Sequence, residues 1–336
     1  MKLMRIRQVG EGAGLQPDEA PDPTPGPGQV KIKVKAASLN YRDLLILKGA
    51  YGRNQPAALV PLSDGAGEVV ESGPGATRFA AGARAAGCFM PAWVDGDVTD
   101  AKARSALGAG GVGMLAEQVV LPEDGVVAVP EHLSYEEAAT LPCAAVTAWN
   151  ALITGGGLRP GETVLTMGTG GVSLFALQFA KMAGARVIIT SSSDEKLERA
   201  RALGASDGIN YKTNPEWEKK VRDLTGGVGV DHVVELGGAG TLPRSLRAVR
   251  MAGHVALIGV LTGGGGEFNP MLVLMKAVRL QGVYVGSRAM FEAMNRAVAL
   301  HKLKPVVDRV FPFAEAQAAY KHLESGAHFG KVVIRM

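Results

Sequence analysis

Two rhythms of apolar and polar residues divide this chain near residue 145. In the first part the rhythm is short. Val30-Lys-Ile-Lys-Val-Lys35 alternates apolar and charged side chains, which predicts a strand with one solvated face. Pro21-Asp-Pro-Thr-Pro-Gly-Pro-Gly28 before it can build neither helix nor ladder. Glu68-Val-Val-Glu71 and Glu117-Gln-Val-Val-Leu121 read as further strands between glycine-rich turns. The stretch 95–113 is poor in apolar residues, closes on Gly108-Ala-Gly-Gly-Val-Gly113, and is expected to be a mobile lobe or loop.

Beyond residue 145 apolar strands alternate with helical periods. Strands are expected at 163–167, 186–190, 230–236 and 254–260, and helices at 172–183, 194–203, 217–224 and 242–251. Such alternation means βαβ units and a mainly parallel, doubly wound sheet. The 172–183 segment is apolar nearly all round, so it should be buried between the sheet and a neighbouring layer. The last fifty residues carry one more expected helix, 289–301, and a strand-like Lys331-Val-Val-Ile334.

Composition narrows the function. The 45 glycines of 336 residues are nearly twice the usual share of about 7%, as tight turns and close backbone approaches require. Net charge is only +4, and no basic run interleaves with aromatics, so a nucleic-acid partner is not expected. Cys88 and Cys143 are too few for a disulfide framework or a four-thiolate zinc lobe. No stretch is apolar for 18 residues and the start lacks an apolar signal core, so neither a membrane nor secretion is expected. The expected location is the cytoplasm.

The sharpest motif is Val164-Leu-Thr-Met-Gly168-Thr-Gly170-Gly171-Val172-Ser173. It follows an expected strand and opens an expected helix, the context in which a glycine pattern signifies dinucleotide binding. Gly168 allows the tight turn. Gly170, Gly171 and Val172 start the helix, whose positive end and free N–H groups suit a pyrophosphate. Ser173 replaces the third glycine and is small enough to preserve close helix–strand packing. A bare glycine turn without ligand is the alternative.

An NAD site usually has an acid about 20 residues on, at the end of the second strand, to bind the ribose 2′-hydroxyl. Here 186–190 runs into Ser191-Ser192-Ser193, with Lys196 following. Hydroxyls and a cation would accommodate a 2′-phosphate, so the expected cofactor is NADP(H) rather than NAD. Ser192-x-x-Glu195 is at the same time a capping box for the next helix.

Ala37-Ser-Leu-Asn40-Tyr41-Arg42-Asp43, Lys48-Gly-Ala-Tyr51-Gly52, Pro61-Leu-Ser63-Asp64-Gly-Ala-Gly67-Glu-Val-Val, Leu141-Pro-Cys143-Ala-Ala-Val-Thr147-Ala-Trp and Phe329-Gly330-Lys331-Val-Val join the glycine motif in order along the chain. Together they resemble the medium-chain dehydrogenase/reductase superfamily, in its zinc-free quinone oxidoreductase-like and enoyl reductase-like branches. The resemblance implies a GroES-like β-rich catalytic domain, residues 1–145 and 286–336, into which a Rossmann cofactor domain, 146–285, is inserted. It also implies a homodimer, with 278–286 as a candidate edge strand.

The positions matching the ligands of the zinc enzymes are Asn40, Ser63 and Cys143. Asn and Ser are poor Zn²⁺ ligands and one thiolate cannot hold a tetrahedral site, so no metal is expected and Cys143 is read as a buried helix residue. The resemblance places Asn40 and its neighbour Asp43 in the active site, although both also suit a helix cap. It brings Thr147 to the nicotinamide and Tyr211 to the adenosine 2′-phosphate. Tyr51 matches the tyrosine that enoyl-thioester reductases are thought to use as an acid; an aromatic plug or a lid stacked on the nicotinamide is the alternative. Arg288 could reach the cofactor phosphates or simply begin a helix. The expected reaction is hydride transfer from NADPH to a quinone or an α,β-unsaturated carbonyl. The alternatives are a zinc-type alcohol dehydrogenase with atypical ligands and a non-catalytic NADPH-binding redox sensor.

Overall fold

The computed structural model describes residues 1–7, 13–51, 58–110, 112–263 and 265–336. They form two compact units, Met1–Val146 with Gly286–Met336, and Thr147–Val285.

In the first unit the alternating segment becomes the strand Gln29–Ser38. Its Val30, Ile32 and Val34 are buried while the lysines between them reach outward. This strand is the hub of a seven-stranded sheet that runs Val307–Pro312, Lys331–Arg335, Gln29–Ser38, Asp64–Ser72, Arg84–Gly87, Val126–Ala128, with Gln118–Pro122 also pairing to the hub. All pairs are antiparallel except Val307–Pro312 with Lys331–Arg335. Gly67 has to be glycine, because a Cβ there would run into the Lys33 carbonyl of the hub. The core gathers Val30, Ile32, Leu44, Leu107, Met114, Tyr320 and Ile334.

Two parts of this unit hold more structure than expected. The described residues of 95–113 are mostly turn and irregular backbone, but they also hold a short helix and local hydrogen bonds that the sequence did not suggest. Thr99 caps a short helix, Asp100–Ala103, and Lys102 Nζ donates to the Asp95 and Asp97 carbonyls at 2.8 and 2.6 Å. Leu107 then enters the core and its N–H bonds the Phe89 carbonyl at 3.0 Å. The C-terminal part holds two helices rather than one, Arg288–Leu300 and Ala316–Glu324, the second burying Ala316, Ala319, Tyr320 and Leu323.

The second unit is a six-stranded, all-parallel sheet in the order Asp207–Asn210, Arg186–Ser191, Thr163–Met167, Val230–Glu235, Val249–Leu257, Arg279–Gly282. Strand order reverses beside Thr163–Met167, the topological switch point where such sheets bind ligands. The helix Gly171–Met182 buries seven of its twelve residues, as its all-round apolar character requires. The expected 242–251 helix stops at Ala248, and the strand Val249–Leu257 begins at once. Lys276 Nζ reaches the Leu246 and Arg247 carbonyls at 2.8 and 3.1 Å, satisfying the orphan acceptors of that helix end. Among the described residues no helix is long and apolar enough to cross a membrane.

Candidate active site

In the cofactor unit the strand Thr163–Met167 ends at Gly168, whose φ of +74° is the left-handed turn that favours glycine. Gly170 caps the helix Gly171–Met182, with Val172 in its first turn. A Cβ built on Gly168 or Gly170 meets nothing within 4 Å, so the backbone here faces open space. Ser173 is fully buried and donates to the Met167 carbonyl at 2.5 Å, closing the strand against the helix from below. An open, donor-lined helix start of this kind fits a dinucleotide pyrophosphate.

The neighbouring strand Arg186–Ser191 ends on Ser191, whose Oγ accepts the Ser193 N–H at 3.3 Å. Asn210 of the adjacent strand pairs with Ser191, which sets Tyr211, 42% exposed, beside the same strand end. The helix cap differs from expectation. Ser193, not Ser192, accepts the Lys196 N–H, because the helix begins one residue later. Ser192 thus stands outside the cap. One carboxylate that the strand-tip pattern did not flag, Asp194, lies just beyond and accepts from Asn210 Nδ2 at 2.9 Å. Thr147, buried, belongs to this unit.

In the catalytic unit three adjacent strands bring polar groups to one end of the sheet. The hub ends at Ser38 and runs through Leu39 to Asn40. Asp64 begins the strand on one side, and Lys331 begins the strand on the other. Lys331 Nζ donates to Asn40 Oδ1 at 2.6 Å and to the Leu39 carbonyl. Asp64 Oδ1 accepts from Ser63 Oγ at 2.7 Å, and its Oδ2 accepts the Cys143 N–H at 3.1 Å. Asp43, in the helix Tyr41–Leu47, accepts the Asn40 N–H at 2.7 Å and so locks the turn into that helix. Arg42 donates to the Leu107 carbonyl at 2.8 Å, its guanidinium 4.9 Å from the Tyr51 ring and 4.4 Å from Phe89. Tyr51 is partly buried against Ile6, Ile46 and Leu59. The Gly52 expected beside it lies outside the described residues.

Two buried carboxylates, Asp43 and Asp64, therefore share a site with two buried cations, Arg42 and Lys331. Burial, opposed chiefly by Arg42, pushes Asp43 up to about 6. Burial, opposed chiefly by Lys331, also raises Asp64. The Cys143 thiol is driven above its ordinary range by burial first and by Asp64 second. Cys143 keeps some surface as a residue, so it is less buried than expected, but the thiol itself is desolvated, and it sits on a widened helical turn, Leu141–Ala145. Asn40 and Ser63 offer only an amide and a hydroxyl, already hydrogen-bonded to Lys331 and Asp64, so Cys143 alone is a good ligand and this donor set does not fit a zinc ion. Among the described residues no three His, Cys, Asp or Glu side chains converge as a metal site.

The expected site residues thus fall into two sets. Asn40 and Asp43 are brought together, with Tyr51 joined to them through Arg42. In the other unit, Gly168, Gly170, Gly171 and Val172 form one cluster, and Ser191, Ser192 and Tyr211 meet at the neighbouring strand end, with Lys196 in the first turn of the helix that follows. Arg288 belongs to the catalytic unit. It begins the helix Arg288–Leu300 and is held by Asp124 at 2.5 Å and Glu292 at 3.5 Å. Lys331 and Asp64 were visible only inside family motifs. Nothing local marked them as partners of Asn40.

The parallel sheet with its open glycine cradle has the form of a dinucleotide-binding domain. Residues 26–131 match the alcohol dehydrogenase GroES-like domain, and residues 171–299 match the zinc-binding dehydrogenase family. A zinc-type alcohol dehydrogenase-like protein of Schizosaccharomyces pombe is 45% identical over 90% of this chain and 89% of its own length. The crystal structure of a putative alcohol dehydrogenase from Sinorhizobium meliloti superposes with a TM-score of 0.93 at 42% identity, covering 100% of this chain and 98% of that one. A mycobacterial protein solved in complex with NADPH superposes with a TM-score of 0.84 at 27% identity, covering all of both chains. The chain belongs to the medium-chain dehydrogenase/reductase superfamily, in its zinc-independent quinone oxidoreductase- and enoyl reductase-like branch. It has the Rossmann and GroES-like folds of that superfamily and is an NAD(P)H-dependent oxidoreductase.

Proposed function

We propose that the protein transfers hydride from NADPH to a quinone or an α,β-unsaturated carbonyl without a metal. The observation that carries this reading is the donor set at the three ligand positions. Asn40 is bonded to Lys331, Ser63 to Asp64, and only Cys143 is a good zinc ligand. Such a site offers hydrogen bonds, not a Lewis acid, and suits an acceptor whose electron-poor carbon takes hydride readily.

When bound, NADPH supplies the hydride, and the fold holds it in place. Gly168, Gly170, Gly171 and Val172 would take its pyrophosphate. Ser191, Ser192, Lys196 and Tyr211 would take the ribose 2′-phosphate, and Thr147 the nicotinamide. Two points support NADPH over NADH. Of the two acids that follow the strand end, Asp194 and Glu195, the nearer is engaged by Asn210, and a relative of the same fold was solved with NADPH. Arg288 could join a phosphate only by leaving Asp124 and Glu292, so the reading does not depend on it.

On the acceptor, Asn40 donates to the carbonyl oxygen as negative charge builds there. Asp43 fixes the backbone of Asn40. Tyr51, whose phenol is a proton donor, gives the proton that completes the reduction and regains one from water. We also read the chain as a homodimer. Arg279–Gly282 is the last strand of its sheet, and Leu261, Phe268, Met271, Leu274 and Met275 of the same unit are exposed.

The test is NADPH oxidation against quinones, enals, enones and enoyl thioesters, with NADP⁺ plus primary alcohols as the reverse control. Turnover of the unsaturated acceptors or quinones is expected. Turnover confined to alcohols would replace this reading with an alcohol dehydrogenase, and none at all with a non-catalytic NADPH-binding protein.

A further inference from the structure

Lys331 is 3% exposed, yet it begins a strand where a lysine is not needed for pairing. Its ammonium is held by the Leu39 carbonyl and Asn40 Oδ1, and it eases the ionisation of both Asp64 and Asp43. It is therefore a built-in cation among the three residues that stand where the zinc enzymes hold their metal.

An ammonium has three donors and no acceptor, so the group of Asn40 that faces it must be the carbonyl oxygen. That settles the flip of the amide, and the Asn40 NH₂ must point the other way. Asn40 is 9% exposed, and its Nδ2 makes no hydrogen bond of good geometry among the described residues. The Asp64 carboxylate feels this amide as well. Nδ2 is itself buried, and an NH₂ has two protons, so even with one leaning on Asp64 the other is a buried donor without a partner among the described residues. Without the lysine, the amide could rotate and satisfy its nitrogen on the Leu39 carbonyl.

We propose that Lys331 is a positioning residue that clamps the Asn40 carboxamide so that its NH₂ is presented to the acceptor's carbonyl oxygen. This rests on the reading of Asn40 as the donor in carbonyl reduction. The same charge polarises the amide, making its N–H a stronger donor.

Two arms test it. The first needs no acceptor. In protein labelled with ¹⁵N-asparagine, the Asn40 NH₂ signals, assigned by their loss in Asn40→Ala, should exchange slowly with water and quicken in Lys331→Met. Unchanged exchange overturns the clamp. The second is kinetic. Lys331→Met alone strands buried carboxylates, so Lys331→Met/Asp64→Asn keeps the site neutral if the single variant fails to fold. Either is expected to lower kcat on carbonyl acceptors by about 10- to 100-fold, below the loss seen when a donor is removed outright. The KM for NADPH should stay within about twofold, Lys331→Arg should recover most of the rate, and Asn40→Ala should abolish any further effect. A loss that adds to that of Asn40→Ala, or that comes with weakened NADPH binding, would show a merely structural lysine. If the unmodified protein reduces no acceptor, the functional reading fails while the exchange arm still decides the clamp.

Discussion

Acid should weaken the cofactor unit through one histidine. His232, His254 and Arg279 lie side by side across three neighbouring strands, with the two imidazole Nδ1 atoms 3.3 Å apart and His232 Nε2 3.0 Å from Glu162. Burial, then Arg279, then His232 push His254 down to about 4, since a second proton would set a cation between a ring and a guanidinium. The folded value lies below the unfolded value of about 6.5, so the unfolded chain binds more protons at acid pH. The stability this residue contributes by staying neutral is complete above pH ~6.5 and is lost as pH falls towards 4. For that shift, proton linkage gives a loss of about 2 kcal/mol between pH 7 and pH 5, rising to about 3 kcal/mol below pH 4. His254→Gln removes the titrating group. Urea unfolding followed by tryptophan fluorescence suits the measurement, because Trp217 is buried in this unit's core. The stability difference between pH 7 and pH 5 should shrink in the variant by about that amount. If both proteins lose stability in parallel, the histidine is not the cause and the argument from its surroundings is wrong.

Ser191→Asp should shift preference towards NADH, since a carboxylate there pairs with a ribose hydroxyl and repels a 2′-phosphate. Tighter binding of NADH than NADPH by the unmodified protein would refute that reading of the strand tip. Purified protein should carry far less than one zinc per chain and keep its activity in a chelator; stoichiometric zinc bound through Cys143 would overturn the argument from the donor set. Tyr51→Phe should slow reduction of enones or enoyl thioesters by a factor of about 10²–10⁴ with NADPH affinity unchanged, whereas an undiminished rate would leave water or another group as the acid.

Short-range pattern by itself determined much of this protein. The alternation at Val30–Lys35 and the Gly168–Gly171 turn between an apolar strand and an apolar helix are set within a few residues, where backbone sterics and side-chain period act. The absence of an acid at Ser191 and of good zinc ligands at Asn40 and Ser63 could likewise be read residue by residue. Other features escaped for lack of a local signal. The polar 95–113 stretch gave no hint that Lys102 would bind its own backbone and Leu107 enter the core, and the helix Ala316–Glu324 hid in an alanine-rich run whose apolar face acquires meaning only against a core. Only the tertiary structure decided what Asn40 does. Its partner Lys331 lies 291 residues away and arrives because Lys331–Arg335 pairs antiparallel with Gln29–Ser38. Strand pairing is non-local, and the direction of a carboxamide depends on which atom waits opposite it, so the charge that orients Asn40 exists only once the sheet has closed.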